Sequence, residues 1–121
     1  MDPDHIMVKQ QTLETLTRCR ALLQVWQRID GEFPLQYMLC LIEIAADEGL
    51  SLSDLATRTQ MPLSTVSRIV GALSDHRKKG KSYGLIRVDI SATERRRKEL
   101  SLTPRGRALV GELGEVCPVS G

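Results

Sequence analysis

A chain of 121 residues with 41% hydrophobic residues holds enough apolar mass for one core, so a single domain over 1–121 is expected. The net charge of +2 excludes little by itself. Residues 1–50, however, carry four Lys/Arg against eight Asp/Glu, and residues 51–121 carry thirteen against seven, so the cations gather in one part of the chain. No apolar run reaches the roughly 18–20 residues of a membrane span, and Met1-Asp2-Pro3-Asp4 lacks the positive-then-apolar order of a secretory signal. Cys19, Cys40 and Cys117 show neither the number nor the spacing of a disulfide framework or a zinc site, which fits reduced thiols in a cytoplasmic protein.

Leu13, Leu16, Cys19, Leu22, Leu23, Trp26 and Ile29 recur at three- and four-residue steps, the period of one apolar stripe on a helix over about 5–29. The stripe reads as core, with part of it available to a second subunit. Cys19 within it reads as a small buried hydrophobe rather than a redox sensor. Asp30-Gly31 closes this helix, and Pro34 is preset for the first turn of the next. That second helix, 34 to about 47, is apolar nearly all round through Leu35, Met38, Leu39, Leu41, Ile42, Ile44 and Ala45. It reads as the central core helix, ended by Gly49.

Ser51-Leu52-Ser53-Asp54 has the form of a capping box and opens a helix over 51–60, with Leu55 and Ala56 pointing inward. Pro62 starts another over 62–74, in which Leu63, Val66, Ile69, Val70 and Leu73 form the buried stripe. Ser64, Thr65, Ser67, Arg68 and Gly71 are left facing outward. Short polar groups beside one long cation suit a helix laid into the major groove of DNA. The helix breaks within 75–82, where Arg77, Lys78, Lys79 and Lys81 either lie on a helical extension or form a basic loop.

Ile86, Val88 and Ile90 then alternate with Leu85, Arg87 and Asp89 as a half-buried strand does, and Leu100 and Leu102 repeat the pattern. Between them lies the tip Thr93-Glu94-Arg95-Arg96-Arg97-Lys98. Its four adjacent cations repel one another unless an anionic partner or solvent screens them. Thr103-Pro104 reads as the N-cap and first position of a last helix bearing Leu109, Val110 and Leu113 and ending before Pro118.

Helix, turn, helix and basic hairpin is the order of a winged helix-turn-helix, a mainly α fold with a small β-hairpin wing (α+β). Two N-terminal helices would occupy about 5–48, the helix-turn-helix and wing 50–102, and a C-terminal helix 103–117. The expected partner is double-stranded DNA. Its candidate contacts are Ser64, Thr65, Ser67 and Arg68 on the recognition helix, Arg95, Arg96, Arg97 and Lys98 on the wing, and Arg77, Lys78, Lys79 and Lys81 in the basic insert.

Phe33-Pro34-Leu35-Gln36-Tyr37, Leu52-Ser53-Asp54-Leu55-Ala56, Ser64-Thr65-Val66-Ser67-Arg68, Gly84-Leu85-Ile86 and Leu100-Ser101-Leu102-Thr103-Pro104-Arg105-Gly106 follow one another along the chain. As an ordered set over about 10–113 they resemble the MarR family of bacterial winged-helix regulators. The resemblance implies a homodimer that binds pseudo-palindromic promoter DNA and usually represses transcription, and the apolar stripe of the first helix with Leu109, Val110 and Leu113 of the last marks those two helices as the expected joint. The resemblance also places Ser64, Thr65, Ser67 and Arg68 at the major groove. Glu94 and Arg96 fall where the family carries an acidic residue and an arginine that pair within the wing. The chain departs from the pattern by about seven extra residues near 75–81 and by a shorter C-terminal part, so the resemblance is to a short variant.

No enzyme, metal or cofactor is expected, because His5 and His76 have no Cys, Asp or Glu at a catalytic or metal-binding spacing and no glycine-rich phosphate loop precedes a helix. With only four aromatic residues, neither a pocket that stacks phenolic effectors nor a stacking platform for RNA or single-stranded DNA is favoured. The rival from another class is a winged-helix protein-protein adaptor or inhibitor, such as a phage or plasmid factor, without specific DNA readout. An adaptor does not need the basic tip and insert.

Overall fold

A computed structural model of the chain describes residues 3–75 and 82–118, with side chains from residue 7. His76 and the expected insert contacts Arg77, Lys78, Lys79 and Lys81 lie outside the described residues. The chain runs α1 (Pro3–Ile29), α2 (Leu35–Ala46), α3 (Leu52–Thr59), α4 (Leu63–Leu73), β1 (Ile86–Ile90), β2 (Lys98–Leu102) and α5 (Pro104–Val116). The two strands form one antiparallel ribbon in which Ile86 faces Leu102 and Ile90 faces Lys98. Among the described residues no helix is long and apolar enough to cross a membrane.

The core lies where α2, α3 and α4 meet the inner face of the ribbon. Leu41, Ile44, Leu55, Val66, Ile69, Leu73, Leu85 and Leu100 are fully buried there. The ribbon is held to the helices through the backbone as well. Gly49 donates to the Leu100 carbonyl at 2.7 Å, Leu100 donates to Leu50 at 3.0 Å, and Ser51 bridges Glu99. This isolated bridge requires the chain to turn sharply after α2, which Gly49 does at φ 100, a conformation that L side chains rarely adopt. Glu48 reinforces the same corner. Its carboxylate accepts from the Leu102 amide at 2.8 Å and from both Arg107 nitrogens at 2.9 and 3.0 Å, and these contacts, the Leu102 amide foremost, hold it below the usual carboxylate range.

The four aromatic residues of the chain gather into one cluster at the corner between α1 and α2. Trp26 stacks on Phe33 at 5.4 Å, and Tyr83 meets Phe33 edge-on at 5.0 Å and Tyr37 at 6.3 Å. The Tyr83 hydroxyl donates to Asp30 at 2.6 Å. The backbone of 83–85 returns along the end of α4, Tyr83 donating to Ala72 at 3.0 Å and Leu85 to Leu73 at 2.8 Å. The chain that leaves α4 and the chain that enters β1 are therefore pinned side by side.

At four places burial differs from the sequence expectation. In α1 only the C-terminal end is core: Val25 and Trp26 are buried, whereas Leu13, Leu16, Cys19 and Leu23 are exposed because nothing among the described residues reaches over that part of the helix. The reading of Cys19 as a buried hydrophobe is thus corrected. Cys40 is the buried cysteine, and burial, with Glu43 second, pushes its thiol up to about 11. The central helix α2 buries one side only, through Cys40, Leu41 and Ile44, and leaves Leu35 at 67% exposed together with Leu39 and Ile42. Leu63 of the expected α4 stripe is 52% exposed. Ile90 is 69% exposed, since the far end of a twisted two-stranded ribbon leaves the helices that cover Ile86.

The last helix starts as expected. Thr103 caps α5 by accepting from the Gly106 amide at 3.1 Å, and its hydroxyl donates to the Gly84 carbonyl at 2.7 Å. Gly106 is buried against Leu85, and a methyl group there would overlap the Leu85 carbonyl oxygen. Gly106→Ala should therefore lower stability by about 1–3 kcal/mol, as overpacking does when the obstacle is backbone. Urea unfolding checks this, and an unchanged midpoint would mean that α5 can shift away freely.

Candidate nucleic-acid interface

The helix-turn-helix is built by local chemistry. Ser51 Oγ accepts from the Asp54 amide at 3.1 Å while Asp54 Oδ2 accepts from the Ser51 amide at 3.2 Å, so both halves of the capping box are formed at the start of α3. Gln60 takes the left-handed conformation at φ 57 and ends α3, and Met61 donates back to Ala56 at 3.2 Å. Pro62 then opens α4, whose first turn has no side-chain cap. Val66, Ile69, Val70, Ala72 and Leu73 bury the inner side of α4 and fix its rotation. Of the expected recognition residues, Ser64, Ser67 and Arg68 are exposed and Thr65 is half-buried.

The wing carries its cations on an ordered turn. Ser91, 5% exposed, donates its amide to the Arg97 carbonyl at 2.8 Å. Its hydroxyl accepts from the amides of Thr93 and Glu94 at 3.3 and 3.2 Å. Arg95, Arg96, Arg97 and Lys98 are exposed around this turn. The expected pairing of Glu94 with Arg96 is absent among the described ion pairs. Arg97 instead reaches Asp54 at 3.4 Å and ties the wing to the capping box of α3. Sequence reasoning missed both Ser91 and this tie. A serine two and three positions before the amides it accepts from is a recognisable turn signal, whereas nothing local signals a contact across 43 residues.

Asp54 thereby holds two elements at once. The Ser51 amide and hydroxyl, then Arg97 and Arg58, keep its carboxyl below the ordinary aspartate value. A depressed acid contributes to stability above its unfolded value, and that contribution is lost as pH falls through the folded value. An NMR titration should find Asp54 ionising below ordinary aspartates, with the Ser51 amide shifting in step. An ordinary midpoint with a silent amide would refute the clamp.

Helix α4 and the wing border one surface. A concavity of ≈ 500 Å³ is lined by Leu52, Ser53, Leu63, Arg96, Arg97 and Lys98 among others. A groove of ≈ 620 Å³ follows it between α4 and β1, lined by Leu52, Ser67, Gly71, Val88, Ile90 and Lys98 among others. Leu52 and Lys98 belong to both. The hydroxyls of Ser53 and Ser67 and the cations of Arg96, Arg97 and Lys98, with the carboxylates of Asp54 and Glu94 beside them, thus border one surface, and such hydroxyls and cations can bind an extended polyanion and make hydrogen bonds to base edges.

A family model for the IclR helix-turn-helix domain matches residues 44–77, the stretch that contains α3 and α4. No curated protein sequence matches the chain. Among solved structures, RV1404 from Mycobacterium tuberculosis superposes with a TM-score of 0.70 at 22% identity, over 96% of this chain and 74% of its own. A MarR family transcription regulator, SP03579, gives a TM-score of 0.63 at 20% identity, over 93% of this chain and 67% of that one. MepR of S. aureus, in a complex with DNA, gives 0.67 at 22% identity, over 92% of this chain and 82% of MepR. The fold is that of the MarR-type winged-helix regulators. In this winged helix α4 is the second helix of the helix-turn-helix and the β1–β2 ribbon is the wing, as the sequence led one to expect.

Proposed function

We propose that this chain is a single-domain, cytoplasmic transcription regulator that binds double-stranded DNA as a homodimer and represses from a pseudo-palindromic operator. One observation carries the reading. Leu63 and Ser67 of α4 and the wing cations Arg96, Arg97 and Lys98 line two adjoining concavities that share Leu52 and Lys98, in a fold that S. aureus MepR has in a complex with DNA. Ser64, Thr65, Ser67 and Arg68 enter the major groove, and Arg95, Arg96 and Lys98 follow the phosphates or a minor groove. Arg77, Lys78, Lys79 and Lys81 add cations next to the recognition helix in sequence. Arg97 acts at the edge of this set through its tie to Asp54. Burial of Trp26, Phe33 and Tyr83 supports duplex over single-stranded partners, which are gripped by exposed aromatic rings.

The dimer reading is supported by apolar surface that a monomer leaves wet. Met7, Val8, Leu13, Leu16 and Leu23 of α1 are all more than half exposed, and covering each is worth roughly 1.5–3 kcal/mol. Two-fold symmetry also suits a palindromic site. Light scattering at micromolar concentration should give twice the chain mass, and Leu16→Glu should shift it toward the monomer. A monomer mass that persists with DNA present would contradict the dimer. The function itself is tested by selecting fragments from a random duplex pool with the purified chain and sequencing them. Enrichment of an inverted repeat is expected, and failure to enrich any sequence would sink the proposal.

A further inference from the structure

We infer that Leu63 reads the 5-methyl group of a thymine, so that an apolar base edge helps to set the sequence this chain selects. The inference rests on the duplex-DNA reading above and deepens it. Leu63 is the first residue of α4 and is 52% exposed, although its spacing puts it on the stripe that Val66, Ile69, Val70 and Leu73 bury. Its side chain borders the concavity shared with Arg96, Arg97 and Lys98. A protein-docking patch gathers apolar and aromatic residues at its centre. Leu63 instead stands in a concavity lined by three cations, Arg96, Arg97 and Lys98, against two carboxylates, Asp54 and Glu94, of which Asp54 is already held by Arg97 and the Ser51 amide, so the excess charge faces a phosphate-lined partner.

In the major groove, hydroxyls and guanidinium groups such as those of Ser64, Ser67 and Arg68 match polar base-edge atoms. The one apolar group a base pair offers there is the thymine methyl. Residues at the start of a recognition helix are those that come nearest to base edges, and Leu63 is in that turn. Ile90, another exposed apolar residue near this surface, lies on the wing strand and borders the adjoining groove between α4 and β1, which Leu63 does not line. Contact between the exposed side of Leu63 and a methyl group removes apolar area from water on both partners.

The test uses the full chain and a duplex that it enriches from a random pool. Each thymine of the enriched motif is replaced singly by deoxyuridine, which deletes the methyl group and keeps the hydrogen-bonding edge. At one position in each half-site the replacement should weaken binding by about three- to fivefold, the worth of one buried methyl. Leu63→Ala should weaken binding to the thymine duplex by a similar factor and should be indifferent to deoxyuridine at that position, whereas Arg68→Ala should keep the discrimination. A specifically bound duplex with no deoxyuridine-sensitive position, or a Leu63→Ala protein as sensitive as the wild type, overturns the inference and leaves DNA binding standing. A chain that enriches no duplex overturns both.

Discussion

Replacing Arg68 by alanine should weaken binding to the selected operator by about 1–3 kcal/mol, roughly 5- to 150-fold, and leave helix content and unfolding midpoint unchanged. Arg68 is the one long cation of α4; its side chain is exposed, and it makes no ion pair among the described residues. Its guanidinium group therefore has no structural bond to lose, and the loss falls on the complex. Arg68→Lys separates the two ways it can act. A phosphate contact survives the exchange in part, because the charge remains, whereas bidentate reading of guanine needs the planar fork and is lost. Fluorescence anisotropy with the selected duplex and a scrambled one measures both. Wild-type affinity in Arg68→Ala, with normal circular dichroism, would remove this residue from the interface.

The wing should act on every DNA sequence alike. Arg95 and Arg96 are exposed on a turn held from within by Ser91, so converting both to alanine leaves the hairpin in place. If each contacts one phosphate, the double variant should lower the slope of log K against log salt by about 1.8, since each contact on B-form DNA contributes about 0.9. Specific and nonspecific affinity should fall together. Arg97→Ala is expected to differ, because it also releases the wing from Asp54. An unchanged affinity and salt slope in the double variant would mean that the wing does not touch DNA, and the protein-protein adaptor would become the better reading.

Much of this was legible before the structure. The capping box at Ser51 and Asp54, the proline starts of α4 and α5, the Thr103 cap and the alternation of Leu100 and Leu102 each depend on atoms a few residues apart, and each is present in the fold. The order of helix, turn, helix and basic hairpin was legible too, and the resemblance to MarR regulators added the expectation of a homodimer on pseudo-palindromic DNA. What was not legible is what covers each apolar side chain. The same periodicity describes Leu16 and Trp26, yet one is exposed and the other lies in the aromatic cluster. Periodicity reports which residues share a face, and it contains no term for the surface opposite that face.

The sequence by itself therefore determined the elements, their caps and the polar side of α4, because short-range hydrogen bonds and backbone sterics decide those. Only the tertiary structure decided that Leu63 and Ile90 face outward, that Tyr83 ties the chain after α4 to Asp30 across 53 residues, and that Arg97 rather than Arg96 secures the wing. Contacts between residues so far apart follow from how whole helices and the ribbon pack. A single aromatic ring or guanidinium group takes whichever partner that packing brings within reach.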